Sequence, residues 1–191
     1  MPRYLELRVS LWDIKPEIWR RFLLPDNATF EDLHEAIQDS FGWEYDHLYE
    51  FRDKKGRDTI ARAEFDEDFS ENGDVPTTDE LKLPSFFKRS STKCVYVYDF
   101  GDNWKHVVEL VKAVELPERF KRRLLDGARA CPLEDCGGVY GYYECVRVAG
   151  MSEEDIEKAD EPGDIGERKE WMGDWDPEAF DLKKVKKKFD K

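Results

Sequence analysis

The stretch from Leu5 to Leu11 constrains the fold most. Leu5, Leu7, Val9 and Leu11 alternate with Glu6, Arg8 and Ser10, the period-two signature of a strand that buries one face. A turn around Lys15, Pro16 and Glu17 leaves too little chain for a crossover, so the run from Ile18 to Leu24 is expected to return antiparallel to the first. Pro25 ends it. Thr29, with Asp32 three residues on, then resembles a capping box. Phe30, Leu33, Ile37 and Phe41 recur at helical spacing until Gly42, which gives a helix whose apolar stripe lies on the sheet.

Strand character returns from Tyr45 to Phe51, followed by a turn at residues 54–57. Between Glu64 and Glu80 there are eight acidic residues and no basic one. That run reads as a solvated loop, with docking of a basic partner as the sharper alternative. Cys94 to Phe100 and Lys105 to Val111 are β-rich and flank Gly101, Asp102, Asn103 and Trp104, a hairpin turn. A two- or four-residue loop places Asp99 directly opposite His106, with Cβ atoms ~5 Å apart. A three- or five-residue loop would break that pairing.

Residues 119–129 are locally basic and lead into a turn-rich loop from Cys131 to Gly138. Tyr142 to Ala149 reads as a short helix stopped by Gly150, although its β-branched residues leave a strand open. The remainder is helical in tendency up to Gly173. Asp181 caps a last helix with Leu182, Val185 and Phe189 as its apolar stripe and lysines around the rest. The expected fold is α+β, a mainly antiparallel sheet with hairpins, packed helices and a C-terminal helix, in one domain over residues 1–191. A chain of that length buries roughly 70% of its unfolded surface.

The formal charge of -13 repels a phosphate backbone and argues against nucleic-acid or anionic-membrane partners. No apolar run approaches the ~20 residues of a membrane span, and the start lacks a signal-peptide core. A cytoplasmic location and a monomer or weak dimer are expected. Four cysteines, Cys94, Cys131, Cys136 and Cys145, are sparse for a disulfide scaffold and are read as reduced. Charged residues reach 39%, while Gln38 is the only glutamine, a thermophile-like bias.

Several segments resemble the plasmid Ri open-reading-frame-three-like family, found on plasmids, insertion elements and prokaryotic chromosomes. The resemblance rests on Ile18 to Arg21; on Phe30, Leu33, His34, Ile37, Gln38, Phe41, Gly42 and Trp43; and on His47 with Leu48. More specific are Tyr96, Tyr98 to Asp102, Trp104 and His106, then Pro132, Glu134, Asp135, Gly137, Gly138, Gly141 and Tyr142. Asp176, Pro177, Phe180 and Asp181 extend it into the tail. Members are often labelled resolvase-like passenger proteins of transposons or insertion elements. That label implies a serine nucleophile, clustered catalytic arginines and a helix-turn-helix, none of which is recognisable in this sequence.

The candidate site is Asp99 with His106, joined by Asp102, Glu134, Asp135 and His47. A carboxylate facing an imidazole fixes its tautomer and raises its basicity, as general-base catalysis or metal binding requires. The bland alternative has Asp99 and Asp102 bonding turn amides, Glu134 and Asp135 capping a helix, and His106 as a satisfied sheet residue. Cys131 and Cys136 are weak metal candidates, because no second pair stands at a matching interval. Three functional readings follow. The first is a binding or interaction module for a protein, peptide or small ligand, with an aromatic and acidic groove beside the hairpin. The others are a metal-assisted hydrolase and an accessory protein of mobile elements. No cofactor signature is present.

Overall fold

The computed structural model describes residues 1–63, 75–88 and 91–191; most of the acidic run, residues 64–74, lies outside them. The expected antiparallel pair forms from β1 (Arg3–Leu11) and β2 (Trp19–Pro25), with Leu7 opposite Phe22. Leu5, Leu7, Val9 and Leu11 enter the core, while Glu6 on the other face approaches Arg21 and Lys112 at 3.8 and 3.5 Å. The period-two reading therefore assigns both faces.

Helix α1 (Phe30–Phe41) starts at a complete Thr29–Asp32 capping box and ends at Gly42, whose backbone is left-handed at φ 89°. Its Phe30, Leu33 and Ile37 are fully buried. The strand expected over residues 45–51 is shorter and later: β3 spans Tyr49–Arg52 and pairs with β4 (Thr59–Arg62). A single helical turn, α2 (Leu83–Phe86), follows. Next come β5 (Lys93–Tyr98) and the long β6 (Trp104–Glu115). The basic stretch 119–129 contains an edge strand, β7 (Arg123–Ala128). Every pairing of one strand with another is antiparallel, in the order β4-β3-β5-β6-β1-β2-β7 among the described residues.

The C-terminal part adds α3 (Gly138–Ala149), α4 (Glu153–Glu157), α5 (Pro162–Met172) and α6 (Leu182–Phe189). Asp181 caps α6 by accepting from the amides of Lys183 and Lys184 at 3.0 Å, as expected. Phe189 of that helix packs on Phe22, with ring centroids 5.4 Å apart. The buried Arg20 ties these parts together. Its guanidinium donates to the carbonyls of Ser40, Trp19, Ala128 and Arg129 and lies between the rings of Phe41 and Phe180. No described helix is long and apolar enough to cross a membrane.

Candidate functional site

The hairpin register corrects the expected site. Tyr98 pairs with Trp104 and Tyr96 with His106, so residues 99–103 form a five-residue loop and Asp99 does not stand opposite His106. The cause is local. Asp99 and Asn103 both adopt left-handed backbone at φ 55°, which ends β5 at Tyr98. The Asn103 amide donates to the Asp99 carbonyl at 2.6 Å, and the Gly101 amide donates to its carboxylate at 2.9 Å.

His106 faces the core instead. Its ring is fully buried among Phe41, Trp43 and Tyr96, with centroids 5.1–5.2 Å away, and neither nitrogen has a hydrogen-bond partner. Burial pushes its pKa down to about 3, so it is a neutral aromatic filler rather than a base.

His47 approaches the hairpin turn from a loop rather than from the strand expected to carry it. It lies in the loop between α1 and β3, and the β3–β5 ladder, with Tyr49 opposite Tyr98, carries it to the hairpin turn. The Asp99 amide bonding to the Leu48 carbonyl at 2.9 Å fixes that approach. His47 Nδ1 lies 3.8 Å from Asp99 Oδ1. Its Nε2 lies 3.2 Å from Asp135 Oδ1 and 3.9 Å from Glu134 Oε1. Nε2 is shielded from solvent yet makes no aligned hydrogen bond. One donor atom each from His47, Asp99 and Asp135 fall within 4.8 Å of one another.

The loop carrying Glu134 and Asp135 is pinned from three directions. Trp43 donates from its indole to the Pro132 carbonyl at 3.1 Å, and its ring stacks on Tyr98 at 4.9 Å. The Tyr98 hydroxyl donates to Glu134 Oε1 at 2.5 Å. Burial holds the Glu134 carboxyl above its ordinary range against this hydrogen bond and against His47, both of which favour the anion. Asp102 is held away from the cluster, because its carboxylate accepts from the Gly137 amide at 3.1 Å. Glu134 and Asp135 do not cap α3, whose N-cap is Gly137 with no side-chain hydrogen bond.

Glycine spacing makes this docking possible. A Cβ on Gly138 would fall 2.6 Å from the Asp102 carbonyl oxygen, and one on Gly141 would fall 1.7 Å from that of Cys136. Gly138 thus admits the hairpin turn and Gly141 admits the preceding loop. Cys136 is influenced by the Cys145 thiol and, less strongly, by Cys131; among the described residues the one group of three ligating side chains contains neither Cys131 nor Cys136. Beside the cluster a groove of about 430 Å³ is lined by Trp43, Glu44, Leu133, Glu134, Trp171 and Trp175, among others. Trp171 is 51% exposed.

Three of the stretches that carry the resemblance, those bearing His47, Asp99 and the Glu134–Asp135 pair, are thus brought together by the fold. A family model for plasmid pRiA4b ORF-3-like proteins matches residues 3–184. The chain belongs to that family. One similar protein, the uncharacterized protein y4hQ of Sinorhizobium fredii (strain NBRC 101917 / NGR234), is 30% identical over 191 residues. That match covers 97% of this chain and 90% of y4hQ. The crystal structure of MM3350, a protein of unknown function from Methanosarcina mazei Go1, is similar at TM-score 0.79 and 35% identity. It covers 97% of this chain and 98% of that one. The α+β architecture is therefore shared with a solved structure.

Proposed function

We propose that this family member is a ligand-binding module that holds a divalent metal ion between His47, Asp99 and Asp135. The ion anchors a small ligand lying in the tryptophan-walled groove. One observation carries the reading: an imidazole and two carboxylates from three separate loops present donor atoms within 4.8 Å of one another. Donors around an ion with bonds of ~2.1 Å lie ~3–4 Å apart, so small side-chain movements close the shell. Imidazole with carboxylates suits Mn²⁺, Fe²⁺, Co²⁺ or Zn²⁺. The Asp135 side chain is 73% exposed, so the side facing solvent stays open to a ligand.

Glu134 favours a second reading, metal-assisted hydrolysis. It lines the groove, sits 3.9 Å from His47, and is biased toward its protonated form by burial. A carboxyl so placed can pass a proton to a leaving group beside the ion.

The test is titration of the metal-free protein with Mn²⁺, Co²⁺ and Zn²⁺. Binding is followed by tryptophan fluorescence, to which Trp43 reports through its stack on Tyr98, and by cobalt visible absorption. One saturable site is expected, weakened more than about tenfold in His47→Ala and in Asp99→Asn. Binding that is absent, or that ignores both substitutions, overturns the reading. Hydrolysis of ester or phosphoester probes that requires Glu134 would select the second reading.

A further inference from the structure

Cys136 and Cys145 are not used by the groove or the His47 centre, yet they are brought together by the helix that docks there. Cys136 stands two residues before the first residue of α3, and Cys145 lies within it. Gly141, one turn before Cys145, has no side chain where a Cβ would strike the Cys136 carbonyl. The Cys136 backbone therefore rests on the helix face that bears Cys145, and the two thiols are neighbours. From α5, Arg168 donates through Nη1 to the Cys145 sulfur at 3.6 Å. Cys136 and Arg168, with Asp135, Asp164, Glu167 and Trp171, also line a cleft of about 340 Å³. The pair is thus buried but reached from a surface opening, with a cation on one of its sulfurs.

We propose that Cys136 and Cys145 are an oxidisable thiol pair, closed to a disulfide by a hydroperoxide entering the cleft beside Arg168 and Trp171. Cys145 is the attacking sulfur, because the Arg168 guanidinium that donates to it favours its thiolate. Its sulfur bonds to one peroxide oxygen as the O–O bond breaks, leaving a sulfenic acid. The departing alkoxide takes up the proton Cys145 had released. Cys136 then attacks the sulfenic sulfur; the S–S bond forms, the S–O bond breaks, and hydroxide leaves with the Cys136 proton as water. Two thiols lose two electrons, and one hydroperoxide is reduced to an alcohol and water.

The experiment exposes the full-length protein to hydrogen peroxide, alkylates the remaining thiols and measures intact mass and linked peptides. Four free thiols are present at the start; two are expected afterwards, with a Cys136–Cys145 crosslink that dithiothreitol reverses. Cys136→Ser should stop at a sulfenic acid trapped by dimedone, and Arg168→Gln should slow oxidation roughly tenfold by lowering the thiolate share. His47→Ala should oxidise at the unaltered rate, which separates this proposal from the metal reading. Retention of all four thiols, or a crosslink through Cys94 or Cys131, overturns it.

Discussion

Replacing Gly141 with alanine sets two physical effects against each other. Alanine is favoured over glycine in a helix by up to ~1 kcal/mol, so helix propensity alone predicts that Gly141→Ala stabilises α3. The structure predicts the opposite. The new Cβ would fall 1.7 Å from the Cys136 oxygen and 2.6 Å from its carbonyl carbon. Both are backbone atoms that cannot rotate aside, so relief requires the loop bearing Glu134 and Asp135 to shift by more than 1 Å. Overpacking of this kind costs ~1–3 kcal/mol, and here it also strains the Tyr98–Glu134 and Asp102–Gly137 hydrogen bonds, worth about 1 kcal/mol each. A net loss of about 2 kcal/mol follows, or roughly 4–8 °C in Tm for a chain of this size. Gly166, inside α5 with nothing within 4 Å of its added Cβ, is the control, and Gly166→Ala should stabilise by ~0.5–1 kcal/mol. Guanidinium titrations followed by circular dichroism measure both. A neutral or stabilised Gly141→Ala would refute the close-approach argument.

Other outcomes are equally specific. Burial holds both His34 and His106 down to about 3, so the unfolded chain gains two protons that the folded chain refuses. Stability is fully present above pH ~6.5 and is lost as pH falls toward 3, with a slope approaching ~2.7 kcal/mol per pH unit. His106→Leu should remove about half that slope between pH 6.5 and 5 in urea titrations. Arg20→Lys cannot bridge the four carbonyls that the guanidinium now joins, and denaturation should show a loss of about 2–4 kcal/mol. Tyr98→Phe removes a donor that favours the Glu134 anion, so carboxyl NMR should show that group titrating at higher pH.

How far the sequence could be read depends on the range of the interactions. The β1–β2 pair, the α1 capping box and the Asp181 cap are local, and their residues declare them. Register within the β5–β6 hairpin departs from the two- and four-residue alternatives because two residues that tolerate left-handed backbone, Asp99 and Asn103, lengthen the loop to five. The signal was there in Tyr98 and Trp104, an aromatic pair fit to face across strands. Strand β7 was hidden by Arg123 and Asp126, since an edge strand needs no clean alternation. Asp99, Glu134, Asp135 and His47 are legible in the sequence as polar residues beside turns. That His47 rather than His106 meets the carboxylates follows from the β3–β5 ladder, a pairing between distant segments that no local pattern encodes.

The three loops behind the His47 centre come together only once β3 has annealed to β5 and α3 has seated against Asp102. An excised hairpin or helix would hold one donor and lose the rest. A cation captured there is therefore a sensor of long-range assembly: its occupancy should raise the unfolding temperature of the whole sheet, and a chelator should erase the gain.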